Sequence, residues 1–278
     1  MMNEVLARHD HWARHAAQWR HVGPPLRPAG EDIAVAGGLV AQAADALGLA
    51  TPNALVLGVT PELVGMNWPA GTRLTAIDRC PGMIGALLPD HSAPAGICGN
   101  WLKLPFADDS IDLVVGDGCL TVLESASDHR RFASELARVL SPAGRLVLRL
   151  FVRPDCAETP EQVVADLGAG RIGNFHVFKW RLAMALVDER SGEVSVAEIW
   201  RAWKDLGKAP AELAAETGWS PEEIETIEAY RHATARYTFP RLDQARSALS
   251  TGFDELACRT PAYELGERCP TMLLALKS

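Results

Sequence analysis

No stretch of 18 consecutive apolar residues occurs in this 278-residue sequence, and no basic patch leads into an apolar run at its start. Neither a membrane span nor a secretory leader is expected, so the protein reads as soluble and cytoplasmic, with no membrane partner. None of the six cysteines (Cys80, Cys98, Cys119, Cys156, Cys258, Cys269) forms a CxxC pair. Their scatter argues against a zinc ribbon or a disulfide framework and leaves reduced thiols in or near a core; no metal is expected. Basic residues are the scarcer charge, 27 Lys and Arg against 35 Asp and Glu, for a formal net charge of -8. Phosphates are neutralised by Lys and Arg, so nucleic acid is not an expected partner and a small molecule is favoured. Internal repeats and low-complexity tracts are also absent.

What is present is apolar mass, 48% of the residues, enough for one large domain or a core with a sizeable insertion. Residues 3 to 22 read as a helix with Trp12, Ala16 and Trp19 on one face, and an Ala-rich helix over roughly 31 to 48 ends at Gly48. From Ala54 the texture changes to short apolar runs separated by helical stretches: ALVLG (54 to 58), LTAID (74 to 78), IDLVVGD (111 to 117) and RLVLRLF (145 to 151). Uninterrupted runs of that length belong to strands buried on both faces of a parallel sheet. Between the last two, Phe132, Leu136 and Val139 or Leu140 form the stripe of a helix that Pro142 and Gly144 should stop.

Residues 155 to 235 lose the strand rhythm and become helices with explicit starts at Thr159-Pro160-Glu161-Gln162 and Ser220-Pro221-Glu222-Glu223. After another helix near 241 to 250, GFDELACR and TMLLALK read as an antiparallel pair closing the sheet edge. The expected division is a helical cap over 1 to 50, a core over 51 to 154 and 236 to 278, and a helical insertion over 155 to 235.

Open parallel sheets bind ligands beyond the carboxyl ends of their strands. The first run is followed there by Gly58-Val59-Thr60-Pro61-Glu62, and the second by Asp78-Arg79, Asp78 being its last residue. The 20 residues from Gly58 to Asp78 suit a carboxylate that accepts both hydroxyls of a ribose.

The order LVLGVTPEL, LTAIDRCPGMI, GNWLKLPFADDSIDLVVGD, ELARVLSPAGRLVLRLF and a late GF…P.MLLALK pair resembles the class I S-adenosylmethionine-dependent methyltransferases, over about 51 to 152 and 236 to 278. The resemblance implies a Rossmann-like, doubly wound α/β fold with a seven-stranded sheet and a reversed edge strand. It also implies S-adenosylmethionine as cofactor, a small-molecule methyl acceptor, and a set of site roles. Gly58 would let backbone approach the cofactor's amino-acid end, Asp78 would take the ribose, and Arg79 and Met83 would flank the adenosine. Asn100 and Trp101 would read the adenine edge, while Asp117 and Gly118 would lie below the methionine portion.

The first turn has Thr60 and Glu62 where that family usually carries further glycines. Thr60 can offer a hydroxyl and Glu62 can take an ammonium, whereas a dianionic pyrophosphate would suffer beside Glu62, so the turn favours S-adenosylmethionine over a nicotinamide dinucleotide. Methyl transfer from a sulfonium needs alignment more than a base. If a base exists, Asp117 or His176 is the candidate. A non-catalytic S-adenosylmethionine-binding or regulatory protein of the same fold is the alternative from another class.

Several residues carry a plainer reading beside the functional one. Trp12 and Trp19 serve equally as core anchors or as a cover over the cofactor, and Arg27 in PPLRP suits a loop or a carboxylate clamp. His9, His11 and His15 read as a solvated helix start. In NFHVFKWRLAMAL, Phe175, Phe178 and Leu182 form the buried stripe, leaving His176, Lys179 and Arg181 to face either substrate or water. LAAETGWSPEEIETIEAY has helix-turn-helix spacing, but Glu222, Glu223, Glu225 and Glu228 on the second helix would meet phosphate repulsion, so it reads as a packed helical pair.

Overall fold

A computed structural model describes Trp12 and residues 14 to 88 and 95 to 277. The chain builds seven strands into one sheet: β1 (Asn53–Leu57), β2 (Arg73–Asp78), β3 (Ala95–Cys98), β4 (Ile111–Asp117), β5 (Leu140–Arg149), β8 (Phe253–Arg259) and β9 (Thr271–Leu276). Two further strands, β6 (Glu193–Ser195) and β7 (Arg236–Thr238), form a separate antiparallel ribbon. The sheet order is β3-β2-β1-β4-β5-β9-β8, parallel from β3 to β5. The reversed strand is β9, antiparallel to both β5 and the outermost strand β8.

Alternation along the strands builds the layers. Leu55 and Leu57 of β1 join a cluster with Phe132 and Leu136 from the Ala126–Val139 helix and with Leu249 from the Leu242–Leu249 helix. Their neighbours Ala54 and Val56 pack on the other face against Leu39, Val40 and Ala43 of the Gly30–Leu47 helix. A strand buried on both faces needs apolar residues at every position, which is why these segments read as unbroken runs. Gly48 ends the Gly30–Leu47 helix in the left-handed conformation, φ 62°, its N–H donating to the Ala44 carbonyl.

A third cluster packs the helices of residues 160 to 230 together with Phe151, Phe239, Leu265 and Cys269. Its central helix, Phe175–Ala185, starts at Asn174, whose side-chain oxygen accepts from the N–H groups of His176 and Val177 at 2.9 Å each. Phe175 and Phe178 pack edge-on to Trp203 of the Val196–Asp205 helix and touch Trp219. The helix-turn-helix look-alike is a packed pair, Pro210–Thr217 and Pro221–Glu225, turned by Gly218 at φ 76° with Leu213 and Ile224 fully buried.

Four expectations differ from the structure. Strand β3 was not among the expected runs: Ala95-Gly96-Ile97-Cys98 is four residues long at the sheet edge and mostly exposed. Helix Ala126–Val139 stops at Leu140 rather than at Pro142, because the chain enters β5 at once and the ladder on β4 shifts register before Arg145 pairs with Leu113. Ribbon β6–β7 interrupts and closes the run of helices expected over 155 to 235. Of the helix expected over 3 to 22, Trp12 and residues 14 to 17 are helical and Trp19–His21 is a 3-10 turn, while 1 to 11 and 13 lie outside the described residues. No described helix is long and apolar enough to cross a membrane.

Because Trp203 is the packing partner of both central phenylalanines, Trp203→Ala should destabilise the fold by about 3 to 5 kcal/mol. Urea unfolding followed by circular dichroism checks this; a loss under about 1 kcal/mol would contradict the packing described.

Candidate active site

A cavity opens beyond the carboxyl ends of β1, β2 and β4. The strand ends supply Gly58, Thr60, Asp78, Arg79, Asp117 and Gly118 to its wall. Met83, Asn100 and Trp101 complete that side. Nine of the residues singled out from sequence therefore meet at one place.

Their local geometry follows from the strand ends. Gly58 sits at φ 92°, and its N–H donates to the Ile77 carbonyl at 2.8 Å, folding the turn back over β2. A side chain is disfavoured at that φ, and a Cβ there would lie 3.8 Å from the Trp101 ring and 3.9 Å from Asp78 Oδ2, in the space the cavity uses. Asp78 Oδ1 accepts from the Cys80 N–H at 2.8 Å, which fixes the carboxylate at the strand end. Trp101 is held by its indole N–H, donated to the Ile77 carbonyl at 3.0 Å, so its ring stands as a fixed wall. Asn100 spends its side-chain oxygen on the Leu102 N–H at 2.9 Å.

Asp117 anchors the other side. Its side chain is 6% exposed, and Arg149 Nε lies 3.0 Å from its Oδ1. The same guanidinium is 3.8 Å from the Asp32 carboxylate, and its two terminal nitrogens donate to the Pro25 carbonyl at 2.9 and 2.6 Å. Asp32 in turn accepts from the Tyr263 hydroxyl and from the Ala29 N–H. Burial pushes the Asp117 acid up to about 6, against the pull of Arg149. Its folded value lies above the ordinary one, so this group's contribution to stability is present below pH 4 and is lost as pH rises through about 6.

The far wall is aromatic. Phe151, Trp180, Tyr237 and Tyr230 run ring to ring, with centroids 5.2 Å apart at Phe151–Trp180, 5.7 Å at Trp180–Tyr237 and 5.9 Å at Tyr237–Tyr230. His15 continues the line to Trp12. Gly118, at φ 61°, passes so close that a Cβ there would meet the Phe151 ring at 2.7 Å. The loop after β4 is tied to β7, since the Thr238 hydroxyl donates to the Leu120 carbonyl at 2.6 Å and the Thr238 N–H to the Thr121 carbonyl at 2.9 Å. Sequence reasoning did not bring this wall together, because its rings come from the segment just past β5, the Phe175–Ala185 helix and the segment around β7.

Two predicted site residues are elsewhere. Glu62 does not line the cavity; Arg27, arriving from the preceding loop, forms an ion pair with it. Arg27 does clamp a carboxylate, but the chain's own. His176 is also absent from the cavity wall: it is 1% exposed, and its Nε2 bonds to the His21 carbonyl at 2.9 Å. Burial and then the nearby Lys179 charge push the His176 imidazole down to about 3, so it is a neutral prop under the N-terminal segment. The choice between substrate and water for its helix was too narrow. Lys179 faces neither, being fully buried with its ammonium 3.1 Å from the Thr226 hydroxyl, and Arg181 forms ion pairs with Glu158 and Asp166.

Residues 58 to 148 match the family described as a methyltransferase domain. A demethylmenaquinone methyltransferase of Mycobacterium sp. (strain JLS) is 28% identical over 177 residues, covering 59% of this chain and 70% of the relative. One from Mycolicibacterium vanbaalenii is 31% identical over 166 residues, covering 58% and 63%. The chain carries a methyltransferase domain over residues 58 to 148. Solved structures agree on the fold of this methyltransferase and, at their low identity, speak to the fold alone. The CcbJ methyltransferase of Streptomyces caelestis matches with TM-score 0.51 at 12% identity over 93% of this chain and 92% of its own. A protein described as a putative Zn-dependent alcohol dehydrogenase from Rhodobacter sphaeroides matches with TM-score 0.65 at 12% identity over 98% and 99%. Among the described residues of this methyltransferase, no group of three or more His, Cys, Asp or Glu is placed to hold a metal ion.

Arg149→Met should leave the Asp117 and Asp32 carboxylates buried without their cation and cost about 3 to 5 kcal/mol. Adding Asp117→Asn to that variant should restore part of the loss. Thermal unfolding of the two variants checks this, and equal stability of Arg149→Met and wild type would contradict it.

Proposed function

We propose that this methyltransferase acts on a small organic molecule held against the aromatic wall beneath the 155 to 235 insertion, with S-adenosylmethionine bound at the strand ends. The observation that carries the reading is the continuity of one cavity from Asp78 and Gly58 to Trp180, Tyr230 and Tyr237. The small-molecule methyltransferases among the relatives support it.

The residues suit the cofactor. A side-chain-free turn at Gly58 leaves a cradle that a Cβ would fill, and the Asp78 carboxylate stands beside it for ribose hydroxyls. Trp101 would pack on the adenosine, with Arg79, Met83 and Asn100 around it, while Thr60 would offer its hydroxyl near the turn. Asp117 and Gly118 would lie under the methionine portion, where a carboxylate opposes positive charge. A dinucleotide fits poorly. The helix after β1, Pro61–Val64, is a single turn with Glu62 in it, and it offers no pyrophosphate site of the usual kind.

When bound, the cofactor supplies a methyl group already activated by its sulfonium. The chain's own residues then position an acceptor and exclude water, with the insertion as roof. Asp117, ionised above about pH 6, is the group on the wall able to hold a proton or oppose a cation at the reacting end. The acceptor is a small molecule and not a nucleic acid, in keeping with a net charge of -8.

Calorimetric titration with S-adenosylhomocysteine tests the pocket. Asp78→Ala should weaken binding by about 10 to 100-fold, the value of charge-assisted hydrogen bonds to a carboxylate, and unchanged affinity would sink the assignment. The Asp117 proton supplies an independent check. A cationic ligand favours the ionised carboxylate, so S-adenosylmethionine should bind more weakly as pH falls from 7.5 to 5 in wild type. That slope should flatten in Asp117→Asn, whereas a flat wild-type profile would remove Asp117 from the site.

A further inference from the structure

The cavity is deep at one end and open at the other. Phe151, Trp180, Tyr230 and Tyr237 on the aromatic wall are each 5% exposed or less, and the N-terminal segment adds His15 and Val22 at 5% each. Among the described residues that line the cavity, Arg79 and Asn100 alone are exposed, the others being buried or half-buried. Both stand on the strand-end side, next in the chain to Asp78 and Trp101. The mouth is therefore at the end assigned above to the adenosine, and the aromatic wall lies at the inner end.

The elements that cover the inner end are pinned by bonds to buried groups. The N-terminal segment places the Pro25 carbonyl on both terminal nitrogens of Arg149, at 2.9 and 2.6 Å, and the His21 carbonyl on His176 Nε2 at 2.9 Å. The Arg27–Glu62 ion pair fastens its far end. The helix that carries Trp180 is held through Arg181, which shares Glu158 with Arg268 from the turn before β9. The Thr238 bonds to Leu120 and Thr121 hold the strand that carries Tyr237. Lifting any of these covers would strip acceptors from Arg149, Arg268 or His176, or break the Thr238 bonds, and unmet polar groups in an interior are costly. A ligand bound for the aromatic wall has to pass the mouth.

An adenosine resting on Trp101 beside Asp78 fills that mouth. On the reading given above for the cavity, we propose that the two ligands load in a compulsory order. The acceptor enters first, past Arg79 and Asn100, and the cofactor follows and closes the entrance with its own adenosine. S-adenosylhomocysteine then leaves before the methylated product. The N-terminal segment and the insertion are fixed walls, and the last ligand to arrive is what excludes water from the reacting end.

Stopped-flow fluorescence on the full chain tests the order, with 2-naphthol, excited beyond the tryptophan absorption, as a planar probe of the inner end. In the absence of S-adenosylhomocysteine its entry rate should rise in proportion to probe concentration. In the chain saturated with S-adenosylhomocysteine, entry should be at least about 10-fold slower and should level off, as probe is raised, at the separately measured rate of S-adenosylhomocysteine release. Probe occupancy at equilibrium should be undiminished, because both ligands fit together. In the reverse order, S-adenosylhomocysteine should bind the probe-loaded chain within about twofold of its rate on the empty chain, and should then slow probe escape at least about 10-fold. Equally fast entry with and without S-adenosylhomocysteine would reveal a second door and overturn the proposal. Displacement of the probe at equilibrium would reveal one shared seat and overturn it too, as would the absence of saturable probe binding to the empty chain. If wild type failed to bind S-adenosylhomocysteine at all, the reading of the cavity itself would fall.

Discussion

The guanidinium of Arg149 is the point on which the site's construction depends. It stands at the carboxyl end of β5, 4% exposed, and a buried charge of that kind persists only when its partners are close and well placed. Those partners come from three regions: Asp117 at the end of β4, Asp32 in the Gly30–Leu47 helix, and the Pro25 carbonyl in the loop before it. One side chain therefore fixes the carboxylate on the cavity wall and holds the N-terminal segment against the sheet. It also stacks on Phe151, the ring where the strand ends meet the aromatic wall.

The N-terminal segment is fastened at other points with the same economy of means. His176 holds the His21 carbonyl, Arg27 pairs with Glu62, and Tyr263 reaches Asp32. These bonds explain why Trp19 and Trp12, from a segment outside the sheet, contribute to the cavity. They also explain why buried polar groups are found away from the site. His176 is a neutral donor, and Lys179, which burial pushes down to about 7, has a hydroxyl and two aromatic faces around it.

Sequence patterns made the strand ends legible because burial on both faces forces unbroken apolar runs, and a run's last residue marks where a ligand site lies. That rule pointed to Gly58 and Asp78, and the family resemblance carried by the order of the segments added Asp117. Contacts made over long separations were not legible. Arg27 reaches Glu62 across 35 residues, which turned an expected ligand group into part of the scaffold. His176 read as a polar residue on an amphipathic helix, but its helix is buried all round, so periodicity gave no information about where the imidazole points. Strand β3 escaped notice because four edge residues need no apolar run. The aromatic wall had no local pattern, since Phe151, Trp180 and Tyr237 lie far apart along the chain and meet only in the folded structure.

The joining of acidic strand ends and an aromatic wall in one cavity is the central claim, and a crystal structure with S-adenosylhomocysteine bound would test it most directly. The account predicts the ribose hydroxyls on the Asp78 carboxylate, the adenosine beside Trp101, and the sulfur pointing toward Phe151 and Trp180. A ligand seated with its nucleoside among Trp180, Tyr230 and Tyr237, leaving Asp78 without contact, would contradict it.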